Sequence, residues 1–112
     1  MARNVLSWNV ALRNGFQPRL YPYTFGAVPL GEYDAILDFK VWAKKIMAIG
    51  CYFTQASTDK KFQLTVYCSG TGIYRIKDCP IDFTECPIGR LYRVRVVTDQ
   101  KKKIIFQGAE MI

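Results

Sequence analysis

The chain has 112 residues, enough for one domain with a modest core, and half of them are apolar, which excludes a chain disordered throughout. Sixteen lysines and arginines against nine carboxylates give a net charge of +7, which favours an anionic partner, nucleic acid before a membrane surface. The same charge would also serve plain solubility. There is no histidine, so the usual general base near neutral pH is missing, and no nucleophile elbow, phosphate loop or dinucleotide fingerprint occurs.

Residues 1–31 read as an extended arm. They hold Pro18, Pro22 and Pro29, and prolines at this density exclude a helix or a central strand from residue 16 onward. Before them, Leu6 to Leu12 alternates as a short strand would, and Asn14-Gly15 signals a turn. The arm carries Arg3, Arg13 and Arg19 but no carboxylate, since Glu32 is the first acidic residue. Trp8, Phe16, Arg19, Tyr21, Tyr23 and Phe25 suit a protein interface, so the arm predicts a homo-oligomer or an embrace of nucleic acid. The N-terminus lacks a charged segment followed by an unbroken apolar core, and no run reaches the ~20 apolar residues that span a bilayer. A cytoplasmic protein without membrane contact is the expectation.

Ala35 to Phe53 is the longest apolar-rich run. Leu37, Phe39, Val41 and Ala43 alternate with Asp38, Lys40, Trp42 and Lys44, the period of a strand with one buried face. The Lys44-Lys45 doublet breaks the phase as a β-bulge would, and Gly50 allows a bend. A helical reading stays open: Asp34, Asp38, Lys40, Lys44 and Lys45 share one arc of a wheel, and Gly50 would then cap it.

Residues 55–61 form a polar loop. Phe62, Leu64, Val66 and Cys68 then alternate with Gln63, Thr65 and Tyr67 as a second strand. Ser69 to Gly72 is a turn, Ile73 to Lys77 a short third strand, and residues 78–89 a connection or one turn of helix. Leu91 to Val97 is a fourth strand, residues 98–103 a lysine-rich turn, and Ile104 to Ile112 a fifth strand.

The four cysteines, Cys51, Cys68, Cys79 and Cys86, include no close pair, and without histidine a zinc site is not expected. Without a secretion signal they read as reduced, buried thiols. Asp78, Asp82 and Glu85 could collect a magnesium ion or cap a short helix, and capping is favoured. The expectation is a protein without catalysis, cofactor or metal.

Five strands, with a connecting segment between the third and the fourth, predict an all-β domain over 32–112 preceded by the arm. The run Gly89-Arg90-Leu91-Tyr92-Arg93-Val94-Arg95-Val96-Val97, the lysine turn and Ile104 to Ile112 resemble the closing hairpin of the small oligonucleotide-binding (OB) barrels of phage and bacterial single-stranded-DNA-binding proteins. The resemblance spans residues 33–112. It implies a five-stranded OB-like barrel that binds single-stranded DNA or RNA, DNA favoured, in replication or recombination. It also implies a binding face built from the second and third strands and two loops, 55–61 and 98–103 here.

Single-strand binding combines cations that track phosphates with aromatic faces that stack bases. The candidates are Lys40, Trp42 and Lys44 on the first strand, Lys60 and Lys61 in the 55–61 loop, Tyr67 on the second strand, and Tyr74, Arg75 and Lys77 on the third strand. Arg93 and Arg95 on the fourth strand and Lys101, Lys102 and Lys103 in the last turn complete the set. Trp42 has an alternative place under the arm, and lysine-rich tips also guard hairpin edges. A rival function is a protein-docking module, a phage inhibitor of a host complex or a virion component, held through the aromatic arm.

Overall fold

A computed structural model describes residues 16–17, 26–67, 76 and 79–112, with the backbone alone for Phe16, Gln17 and Lys44. The predicted strands over 6–12 and 73–77, the turn at 69–72, and Trp8, Arg19, Tyr21, Tyr23, Phe25, Cys68, Tyr74, Arg75 and Lys77 lie outside the described residues, Ile76 excepted.

The described chain is all-β. Its strands are β1 (Phe16–Gln17), β2 (Gly31–Ala43), β3 (Ala48–Gln55), β4 (Lys61–Tyr67), β5 (Leu91–Thr98) and β6 (Ile104–Met111). Five of them form an antiparallel sheet in the order β4-β3-β2-β5-β6. β3 occupies one edge of β2 over residues 35–43, and β5 occupies the other over residues 31–36. β1 continues on the edge that β5 leaves, parallel to β2 at Lys40 and Val41. The outermost strands, β4 and β6, approach to within 8 Å between Cα atoms, but no ladder joins them among the described residues. The sheet is open. No helix of the described residues is long and apolar enough to cross a membrane.

The sequence reading of 35–53 as one bent strand is corrected, and so is its helical rival. Ala43 pairs with Ala48, and residues 44–47 reverse the chain through a 3-10 turn at Lys44–Ile46. Met47 closes the turn with φ 52°. A turn followed by a left-handed residue is a common hairpin closure, and glycine usually fills its last place. Here methionine does, which is why no turn signal stands in the sequence.

The β-bulge lies elsewhere than at Lys44-Lys45. Leu37 pairs with Phe53 and Phe39 with Tyr52, so Asp38 is the extra residue. One inserted residue exchanges the faces of everything after it. Phe39 thus leaves the inner face and stacks on Tyr52 with ring centroids 4.5 Å apart, while Lys40 and Trp42 turn inward.

The inner face carries Ala35, Leu37, Ile49, Cys51, Phe53, Phe62, Leu64, Val66, Tyr92, Val94, Val96 and Ala109, all buried. The alternation expected for β4 and β5 is observed. Tyr33, Phe62, Phe53, Phe106 and Phe83 meet in successive ring contacts 5.7–6.2 Å between centroids, which carry the core from β2 across to the 79–90 segment. That segment covers the core with Phe83 and Cys86. Asp82 shapes its turn: Oδ1 accepts from the Thr84 amide at 3.0 Å and hydroxyl at 2.7 Å, and its carbonyl accepts from the amides of Glu85 and Cys86. The expected short helix is not formed among the described residues; the carboxylate anchors a turn in its place.

Candidate nucleic-acid interface

The two lysine-rich loops are hairpin tips. In the β3–β4 tip the Gln55 amide donates to the Lys60 carbonyl at 2.8 Å and the Asp59 amide to the Gln55 carbonyl at 2.9 Å. In the β5–β6 tip the Asp99 amide donates to the Lys103 carbonyl at 3.0 Å, and Asp99 Oδ1 accepts from the Lys101 and Lys103 amides, each at 2.9 Å. Asp59 and Lys102 take left-handed conformations, φ 58° and 61°. Both turns are thus fixed by backbone bonds, and the side chains of Lys60, Lys61, Lys101, Lys102 and Lys103 stand exposed.

Both tips project from one end of the sheet. Gly31, the first residue of β2, pairs with Val96, so the β5–β6 tip lies just beyond it. The Ala56 amide donates to the Asp34 carbonyl at 2.9 Å, which sets the β3–β4 tip beside the same end of β2. Five lysines from two loops more than 35 residues apart in sequence therefore share one end of the sheet. Leu30, Ile104 and Ile105 are exposed there as well, while Lys61 Nζ also donates to Thr54 Oγ1 at 3.1 Å.

The aromatic candidates are not with them. Trp42 pairs with Ile49 and Tyr67 with Ala48, at the far end of β3 from its tip. At about 3.3 Å per residue the separation is roughly 20 Å. Trp42 is half-buried against the core, and residues 1–25 of the arm, its alternative cover, lie outside the described side chains. Tyr67 is exposed.

Lys40 is a correction. The Asp38 bulge turns it inward, and it is fully buried. Its Nζ donates to the carbonyls of Cys86 at 2.9 Å, Phe83 at 3.1 Å and Thr84 at 3.4 Å. Burial lowers its pKa, against the pull of Cys86, Cys51, Asp82 and Glu85. It cannot touch a nucleic acid.

Arg93 and Arg95 share the outer face as expected, but the register sets carboxylates beside them. Arg93 Nε donates to Asp34 Oδ1 at 3.0 Å, and Arg95 Nη2 to Glu32 Oε2 at 3.2 Å. Glu110 pairs across from Arg93 on β6. The Asp34 carboxylate raises the Arg93 pKa. Two arginines among three carboxylates make this face an ion-pair lattice, not a cationic track.

Among the described residues no three cysteines, aspartates or glutamates stand close enough to hold a metal. Cys51, Cys79 and Cys86 are free and buried, and burial pushes the Cys51 and Cys86 thiols up, which disfavours a thiolate nucleophile. The chain was compared with protein-family models, curated proteins and solved structures, and it matches none of them.

Proposed function

We propose that this protein binds single-stranded nucleic acid, DNA favoured, without catalysis and without strong sequence preference, through the lysine-rich end of its sheet. The observation that supports this is the convergence of Lys60, Lys61, Lys101, Lys102 and Lys103 on one end from two separate hairpins. Exposed ammonium groups on rigid turns suit phosphate oxygens, and a flexible strand can run from one tip to the other. No aromatic candidate with a described side chain lies near, so phosphate contacts dominate this reading and base stacking adds little.

An OB-like barrel belongs to the same proposal. β2 pairs with both β3 and β5, and β4 and β6 lie near enough that a seam between them would complete a small, partly open barrel.

The test is a fluorescence-polarisation titration with labelled single strands of about 20 nucleotides, at low and moderate salt. Wild type binds tightly at low salt, and its affinity falls with a slope of about 0.7 per phosphate neutralised. Reversal to glutamate at Lys60, Lys101 and Lys102 flattens that slope. No binding at low salt rejects the reading.

A further inference from the structure

The end of the sheet opposite the lysine tips carries a knob and a hollow. The knob is the β2–β3 turn. Ile46 is 60% exposed, Met47 51%, and Tyr67, paired with the adjacent Ala48, 63%. Met47 is held at φ 52°, a conformation unfavourable for a side chain of its size. The turn thus presents two large aliphatic groups to solvent in a strained backbone, beside the exposed Lys45. A soluble monomer gains nothing from that arrangement, whereas a buried interface would.

The hollow lies where the 79–90 segment meets the start of β5 and the end of β6. It measures 240 Å³, its floor is almost wholly apolar, made by Ile81, Pro87, Tyr92 and Met111, and its rim carries Asp82 and Glu85. That volume holds an aliphatic side chain or two. Glu85 is exposed and is the carboxylate open to a partner; Asp82 is turned in, with Oδ1 taken by Thr84 and Oδ2 buried. Among the described residues, Arg90, exposed at the foot of β5, and the buried Lys40 are cations close to the hollow; the Lys40 ammonium is already engaged by three carbonyls.

We propose that a second copy of this chain is the occupant: the Ile46–Met47 knob of one subunit enters the Ile81–Tyr92–Met111 hollow of the other, and Lys45 meets Glu85 across the rim. A convex apolar turn flanked by the Lys45 cation matches a concave apolar site flanked by the exposed Glu85 carboxylate. Because one chain carries both halves, two copies can exchange them about a two-fold axis and close as a dimer; species larger than the dimer would mean that the contact runs head to tail and would overturn it. The lysine-rich ends would then lie away from the interface. None of the knob or hollow residues belongs to the lysine tips, so the dimer stands or falls independently of nucleic-acid binding.

The test is sedimentation equilibrium of the full chain over micromolar concentrations, without nucleic acid. Wild type dimerises. The double variant Ile46→Ser/Met47→Asn removes the knob, and asparagine tolerates the left-handed conformation. It weakens the dimer at least about tenfold, while its thermal melt, taken at a concentration that keeps both chains monomeric, stays at or above that of wild type. Lys45→Glu and Glu85→Lys each weaken it, and the two changes together restore it. A monomeric wild type, a dimer that survives loss of the knob or vanishes only on removal of residues 1–25, or a double charge swap that restores nothing overturns the proposal.

Discussion

Lys40 and Cys86, 46 positions apart, are joined by a bond of 2.9 Å from ammonium to carbonyl, the shortest of three that tie the middle of β2 to the turn at 83–86. An ammonium has three protons and no acceptor, so three carbonyls satisfy it fully. This is how a buried charge persists inside an apolar core.

Removing that charge should loosen the 79–90 segment. Lys40→Ala leaves a cavity and three unpaired carbonyls, and costs about 3–5 kcal/mol of unfolding free energy. Lys40→Met fills the space but still leaves the carbonyls, and costs about 1–3 kcal/mol. Urea denaturation followed by tryptophan fluorescence checks both values. A stabilised Lys40→Met would show that the carbonyls find other donors.

Stability should fall in alkali. Burial raises the pKa of Cys51 and Cys86 above the 9.0 of a free thiol, raises Tyr92, and lifts Tyr33 to about 12. A group whose folded pKa is raised keeps its full contribution below the unfolded pKa. That contribution is lost as pH climbs from there toward the folded value. The loss therefore begins near pH 9 with the thiols, at up to about 1.4 kcal/mol per pH unit for each proton, and steepens when the tyrosines join. Lys40 works in the opposite sense just below 10.5, since its folded pKa is lowered, but it is one group against several. Cys51→Val should shallow the first part of the fall, and chemical unfolding at a series of pH values measures it.

The outer-face arginines should be silent in binding. Arg93→Gln and Arg95→Gln remove cations already held by Asp34 and Glu32. Single-strand affinity is then unchanged within about twofold, whereas reversal of Lys101 and Lys102 lowers it strongly at low salt. Equal losses in both sets would move the interface onto the sheet face.

Met47→Gly should stabilise the isolated subunit by about 0.5–1 kcal/mol, because a left-handed φ is unfavourable for methionine and free for glycine. Thermal melts at a concentration that keeps the chain monomeric show the gain directly. A loss would mean that the methionine side chain packs on its own subunit.

Much of the sheet was legible in the residues. Phe62, Leu64 and Val66, and Tyr92, Val94 and Val96, alternate without interruption, and the lysine-rich stretches between such runs had to be tips. The middle of the chain was not legible. Asp38 between Leu37 and Phe39 looks like an ordinary outward residue, so nothing local announces a bulge, yet it reverses every facing beyond it. A lysine reads as surface, and the partners of Lys40 are carbonyl groups, which have no signature in a sequence. Four of the fourteen expected contacts were lost to such invisible relationships. Trp42 moved inward with Lys40, and Arg93 and Arg95 met carboxylates that only the β2–β5 register brings opposite them.

The sharing of β2 between two neighbours has a kinetic consequence. Its second half finds β3 across a four-residue turn, whereas Ile36 finds Leu91 only after some 55 positions of chain have been closed. The β2–β3–β4 meander can assemble from local contacts, whereas the docking of β5 carries the entropy of that longer closure and on contact order should follow it. Lys40 meets its three carbonyls only once the 83–86 turn lies over the core. One strand is thus completed in two stages.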